Sequence, residues 1–302
     1  MADGRDYLTW TPSLATEAAC RFYEQHSRDI QHAASASLIL KEYEHLLNAV
    51  GSAFSEIAPD GPETLFPGHY QRRERMRKTV KDLTPASAEL GLTRCVENFL
   101  SYLSDILTDA LIARPELLKS QEQVSLEEVL EHGSIDDFVS WAAEKRVAQL
   151  SFKGLDEIAQ YISKRLGLQL HRDETDWLKL KKGVALRNLI VHRRSIIDQR
   201  FIHLTKEKSL KKGDVYETTM NDYVRTAESA MKIVGEFDTE VSTKFSIPQR
   251  DTTTQRWFSE GRWGPEGRPS HPQRTTTDAS LQGTQPVPGA RTSAPGAHQR
   301  ER

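Results

Sequence analysis

One segment of the chain gathers residue types that can work on a phosphodiester: Val184-Ala185-Leu186-Arg187-Asn188-Leu189-Ile190-Val191-His192-Arg193-Arg194. A histidine near its ordinary pKa of ~6.5 exchanges a proton at neutral pH. His192 can therefore take the proton of a ribose 2′-hydroxyl or give one to a leaving 5′-oxygen. Arg187 can hold the phosphate by charge-assisted hydrogen bonds and stabilise charge growing on its oxygens. Asn188 can fix the orientation of the imidazole. The chemistry these three support is RNA cleavage. One histidine does not easily serve as both base and acid in a single step. A two-fold dimer would set two arginines and two histidines in one cleft.

These residues need a helix to position them. At about 100° per residue with Val184 at zero, Leu186, Leu189, Ile190, Ile196 and Ile197 fall between about 120° and 240°, a stripe for the core. Asn188, Ser195 and His192 lie off that stripe at about 40°, 20° and 80°, and Arg187 at about 300°. Asn188 and His192 are i,i+4 neighbours, within touching distance of each other. Val184 and Val191 share their face, so it reads as a partly buried interface. The same pattern also fits polar surface residues beside a core stripe.

Charge supports a local contact with phosphate. The whole chain of 302 residues carries a net charge of −2. A protein that coats nucleic acid along its length would be basic throughout. Yet from Lys179 to Lys212 eleven basic residues meet only Asp198 and Glu207. A confined basic surface on an acidic body suits one phosphate-binding site. Lys181, Lys182, Arg193 and Arg194 flank the motif and are the candidate RNA-binding residues. A second basic run lies at Arg72-Arg73-Glu74-Arg75-Met76-Arg77-Lys78. Solvated helix faces are the plain alternative for both runs.

The rest of the chain reads as helical. Leu14 to Ile57 has few breakers, with Pro12 near its start. Ile57 to Tyr70, with Pro59, Gly61, Pro62, Pro67 and Gly68, reads as a loop. Thr84-Pro85-Ala86-Ser87 resembles a helix start. From there Leu92, Val96, Phe99, Leu100, Leu103, Ile106, Leu107 and Leu111 recur at helical spacing until Pro115. Ser125 to Glu128 resembles a capping box. Helices follow from Ser134 to about Leu150, from about Leu155 to Gly167, and from near Asp173 towards Asp198. Arg200 to Thr205 and Val215 to Thr218 read as short extended pieces around a turn at Gly213. A last helix spans roughly Asn221 to Lys244. After Pro248 a tail rich in Pro, Gly, Thr, Ser, Gln and Arg reads as disordered. Its aromatic residues Trp257, Phe258 and Trp263 form either a docking motif or a segment packed back on the body.

Other chemistries are struck off. There is no Gly-x-Gly-x-x-Gly after a strand, no Walker-type lysine loop, no His-Glu-x-x-His, no EF-hand spacing and no Gly-x-Ser-x-Gly elbow. His26, His32, His45, His69, His132 and His171 have no partner at metal-ligand spacing. Cys20 and Cys95 are the only cysteines, so neither a disulfide scaffold nor a zinc ribbon is expected. No run approaches the ~18 apolar residues of a membrane span. The N-terminus is acidic and lacks an apolar leader, so the expected compartment is the cytoplasm.

Arg187-Asn188-Leu189-Ile190-Val191-His192 resembles the Arg-x(4–6)-His signature of HEPN-domain proteins, whose second position is often Asn. Arg94-Cys95-Val96-Glu97-Asn98-Phe99-Leu100 resembles the opening helix of the RiboL-PSP-HEPN subgroup. The resemblance covers roughly Leu83 to Phe245. It gives an N-terminal helical extension and basic loop over 1–82, a HEPN-like domain over 83–245 and a tail over 246–302. It implies an all-α bundle that dimerises with its motifs facing each other. It implies cleavage of RNA to a 2′,3′-cyclic phosphate and a 5′-hydroxyl, without metal or cofactor. Relatives commonly serve in toxin–antitoxin or abortive-infection defence, so an antitoxin or defence partner is a further expectation. By carry-over Arg187 and His192 are catalytic and Asn188 supporting, and Glu97 stands where relatives often carry an acid. The alternatives are a non-catalytic HEPN module that binds protein, nucleotide or RNA, and a helical adaptor that recruits through its tail aromatics.

Overall fold

Runs of good helix formers, broken at proline, glycine and capping residues, produce an all-α fold with, among the described residues, one two-stranded ribbon. The computed structural model describes residues 11–253, apart from 60, 120–123 and 152. Strand β1 (Leu14–Thr16) leads into helix α1 (Glu17–Ile57), then α2 (Pro62–Leu65) and α3 (Pro67–Ala113). A 3-10 turn at Pro115–Leu118 precedes α4 (Leu126–Leu130), α5 (Ile135–Ser151) and α6 (Leu155–Tyr161). Helix α6 runs on through a π turn at Ile162–Leu166 and stops at Gly167, whose φ of 62° suits glycine. The chain ends its described part with α7 (Glu174–Arg193), α8 (Gln199–Thr205), α9 (Met220–Phe245) and β2 (Gln249–Asp251).

The core is built on α3 and α9. Helix α3 buries Leu92, Val96, Phe99, Leu103, Ile106, Leu107 and Leu111 of the stripe read from the sequence, and Leu100 at its margin is half-buried. Helix α9 is buried at positions along its whole length because α1, α3 and α7 all pack against it. Its N-terminus is held by a capping box between Thr219 and Asp222. The expected box at Ser125 is present, with Glu128 closing it. Helix α5 covers α3. Strands β1 and β2 pair antiparallel, Leu14 opposite Asp251.

Four local expectations are corrected. The segment from Ile57 to Tyr70 is not one loop: it holds α2, and α3 begins at Pro67. The basic run therefore lies on a helix. A helix start at Thr84 is also absent, because α3 passes through Pro85. Proline there removes one i→i−4 hydrogen bond, and packing of the continuous helix against α1 and α9 outweighs that loss. Arg200–Thr205 is helical, not extended, because Asp198 caps it by accepting from Phe201 N at 2.8 Å. The tail departs from disorder at its start, where residues 249–251 form β2. Trp257, Phe258 and Trp263, with the whole tail from residue 254 on, lie outside the described residues.

Helices α7 and α9 cross closely at Gly183. A Cβ on Gly183 would stand 2.4 Å from Thr226 Cγ2 and 2.5 Å from its Oγ1. Thr226 is itself buried and bonded to Asp222 O at 2.7 Å. Alanine gains up to ~1 kcal/mol in helix propensity, but forced separation of packed helices costs about 1–3 kcal/mol. The expected result for Gly183→Ala is net destabilisation, read as a lower denaturation midpoint by circular dichroism. Among the described residues no helix is long and apolar enough to cross a membrane.

Candidate functional site on helix α7

Helix α7 starts at Asp173, whose side chain accepts from Thr175 N at 2.7 Å and Asp176 N at 3.4 Å. It buries Trp177, Leu180, Gly183, Leu186 and Leu189. The face towards α9 is thus fixed, and Arg187, Asn188 and His192 are left on the other side. The helix ends at Arg193, short of the expected Asp198. Arg194 and Ser195 both turn left-handed, with φ of 52° and 61°. A non-glycine residue pays about 1–2 kcal/mol for that conformation. Three bonds to Ser195 offset the cost: its N to Leu189 O at 3.0 Å, its Oγ to Glu89 Oε1 at 2.9 Å, and Tyr216 N to its O at 2.8 Å. Ile196 and Ile197 therefore leave the helical stripe. Ile196 bridges to Val215, and Ile197 is buried with its N bonded to Asp214 O.

The structure brings Arg187 to α3. Its Nη2 donates to Glu97 Oε1 at 3.0 Å and its Nη1 to Asn188 Oδ1 at 3.2 Å. Its Nε is buried and meets no acceptor among the described residues. Two of the five guanidinium N–H donors are thus used; the side chain is 22% exposed, and its remaining Nη hydrogens, not the buried Nε–H, are the ones able to donate to a further anionic oxygen. The pair is half-exposed on the Glu97 side, at 52%. Such a pair contributes only about 0–1 kcal/mol, so its effect here is to orient Arg187.

His192 lies in the last turn of α7, exposed. No hydrogen bond to its ring exists among the described residues, so Asn188 does not orient it. Asn188 instead accepts from Arg187. The expected Asn188–His192 contact is corrected accordingly: adjacency at i,i+4 permits the bond, and the stronger charged donor next door takes the acceptor.

The four candidate RNA contacts divide into two pairs. Lys181 Nζ is 2.6 Å from Asp156 Oδ2, and Lys182 Nζ is 2.8 Å from Glu207 Oε1 and 3.5 Å from Asp222 Oδ1. Burial works against the Lys182 charge, but Glu207, Tyr216 and Asp222 outweigh it and raise its pKa. Both lysines are committed inside the fold. Arg193 and Arg194 are exposed and have no ion pair among the described residues. Arg200, Lys206, Lys208, Lys211 and Lys212 share that condition. Within the basic segment 179–212 the free positive charge thus sits at and beyond the C-terminal end of α7, on the stretch that folds back through Ile197–Asp214 and Ser195–Tyr216.

Sequence reasoning left the role of Glu97 open and did not find the Glu89–Ser195 link. Both partners lie about a hundred residues from α7, so no local spacing signals them. The thiols offer no second site: Cys20 and Cys95 are buried, and burial pushes Cys95 up to about 12. Among the described residues no cluster of His, Cys, Asp and Glu could hold a metal ion. Comparison with family models, with curated proteins and with solved structures gives no match.

Proposed function

We propose that the chain is an endoribonuclease of HEPN type that cleaves RNA without a metal or cofactor, with Arg187 and His192 at its centre. The observation that carries the reading is the state of these two residues on one helix. Arg187 is held by Glu97 and Asn188 with Nη hydrogens to spare, and His192 stands free in solvent next to unpaired arginines. In the reaction His192 takes the proton of a 2′-hydroxyl. The 2′-oxygen then bonds to phosphorus while the bond from phosphorus to the 5′-oxygen breaks. The departing 5′-oxygen takes a proton from the second copy's histidine, which leaves a 2′,3′-cyclic phosphate and a 5′-hydroxyl. Arg187 stabilises the charge on the non-bridging oxygens. The proposed setting is toxin–antitoxin or anti-phage defence in the cytoplasm, with RNA, a second copy and an antitoxin or defence protein as partners.

Purified protein incubated with total RNA in EDTA tests this. New ends bearing 2′,3′-cyclic phosphates support it. Intact RNA across a range of substrates overturns it in favour of a non-catalytic module of the same fold. That second reading draws on the missing Asn188–His192 bond, which leaves the imidazole unoriented in the single chain.

The map of unpaired cations gives a separate expectation for binding. Arg193→Ala and Arg194→Ala should each weaken RNA binding and lower the dependence of log K on log salt by about 1 per lost phosphate contact. Lys181→Ala should leave that slope unchanged, because Asp156 already neutralises it. Filter binding at several salt concentrations reads both.

A further inference from the structure

Helix α1 and the first half of α3 form an antiparallel hairpin closed at its tip. Phe54 stacks on Phe66 with centroids 3.9 Å apart, and His69 meets Phe54 edge-on at 5.1 Å. Gly51 lets His69 and Arg73 approach, so Gly51 and Phe54 mark the inward seam of α1, and His69 and Arg73 that of α3. Beside this seam α1 presents Ile39, Tyr43, Leu46, Val50, Ala53 and Ile57. Their spacing of 4, 3, 4, 3 and 4 is a heptad a/d pattern. Among the described residues nothing covers it: Ile39 is 67% exposed, Leu46 57% and Ile57 71%. Helix α3 carries a matching row, Met76, Leu83 and Leu90, with Leu83 42% and Leu90 52% exposed.

The two rows lie on one side of the hairpin. The α1 row stands about 80° round from its seam and the α3 row about 60°, in the same rotational sense. On antiparallel helices equal rotations of one sense point the same way. The hairpin thus has a single broad apolar face. It extends over about three heptads, the length at which coiled-coil pairing becomes effective.

Charge selects the occupant. From Lys41 to Ile57, α1 carries Glu42, Glu44 and Glu56 against one lysine. From Gln71 to Asp82, α3 carries six basic residues against Glu74 and Asp82. None of these charges makes an ion pair within 4 Å among the described residues. An acidic helix and a basic helix side by side, each without counter-charges, are self-complementary under a two-fold axis. We propose that this face docks a second copy of the chain, forming an antiparallel four-helix bundle in which α1 of each copy lies on α3 of the other. The axis then runs along the hairpin and puts both bodies at the same end. The other two-fold pairing, α1 on α1, would set like charges together and is disfavoured. The inference rests on residues away from helix α7, and its segment lies mostly outside the region that resembles HEPN domains.

Sedimentation of the full chain over about 1 to 100 µM tests it. Wild type is expected to be a dimer. The double variant Ile39→Glu/Leu46→Glu is expected to be monomeric with an unchanged circular dichroism spectrum, since both positions are exposed. Arg72→Glu/Arg75→Glu should weaken the dimer at least about tenfold, and adding Glu42→Arg/Glu56→Arg should restore it. A monomeric wild type, or a dimer that survives the stripe variant, overturns the proposal. Charge reversal without effect overturns the α1-on-α3 pairing. A wild-type dimer that leaves RNA intact overturns the nuclease and not this face, whereas a dimer that survives the stripe variant overturns this face and not the nuclease.

Discussion

Replacement of His192 by alanine is expected to lower RNA cleavage by about 10²–10⁴-fold, the usual contribution of a positioned acid–base group. The fold should not change. His192 is exposed, makes no bond among the described residues and touches no core stripe, and such surface changes stay within about ±0.5 kcal/mol. Loss of activity with an unchanged melting curve therefore assigns chemistry and not structure. Arg187 needs a different substitution, because alanine would also strand Glu97. Arg187→Lys keeps the charge and the ion pair but loses the planar fork that grips phosphate at two points. Its expected signature is a large fall in cleavage with RNA binding little altered. Wild-type cleavage by the His192→Ala protein would remove this residue from the mechanism altogether.

The largest expected effect on stability is at Asp238. This carboxylate is buried in α9 and accepts from Thr16 N at 2.9 Å, from Thr16 Oγ1 at 2.5 Å and from Tyr102 OH at 3.4 Å. Thr16 is also the N-cap of α1, accepting from Ala19 N at 3.2 Å. One side chain thus ties β1, α1 and α3 to α9. Asp238→Ala leaves a buried N–H and hydroxyl without acceptors, at about 1–3 kcal/mol each. The expected total is about 3–5 kcal/mol, measured by chemical denaturation, in the range for breaking a buried polar network. Asp238→Asn keeps the shape and one acceptor and should cost clearly less.

The same residue gives a pH dependence of definite sign. Burial raises the Asp238 pKa, and the bonds from Thr16 and Tyr102 only partly oppose it. The folded state therefore holds this proton more tightly than the unfolded chain, where a carboxyl titrates near ~3.9. The protonated form's contribution is fully present below that value and is lost as pH rises through the folded pKa. The stability of wild type relative to Asp238→Asn should accordingly decline as pH rises above about 4. A difference that grows over that range would show the carboxylate to be stabilised by its donors instead.

What the sequence determined by itself was local. The stripe from Leu92 to Leu111, the capping box at Ser125 and the helical placement of Arg187, Asn188 and His192 all follow from spacings of a few residues, and the structure has them. Local rules failed where a distant partner decided the outcome. Pro85 resembles a start, but packing of a continuous α3 carries the helix through it. The α7 stripe continues on paper to Ile197, but Glu89 and Tyr216 end the helix at Arg193 by holding Ser195. Tertiary structure alone decided that Arg187 leans on Glu97, that Lys181 and Lys182 are neutralised while Arg193 and Arg194 are not, and that Thr16 finds Asp238. Hydrogen bonds and ion pairs act over about 3 Å, whereas these partners stand between 25 and 222 residues apart in the chain. Only the fold converts such separations into contact.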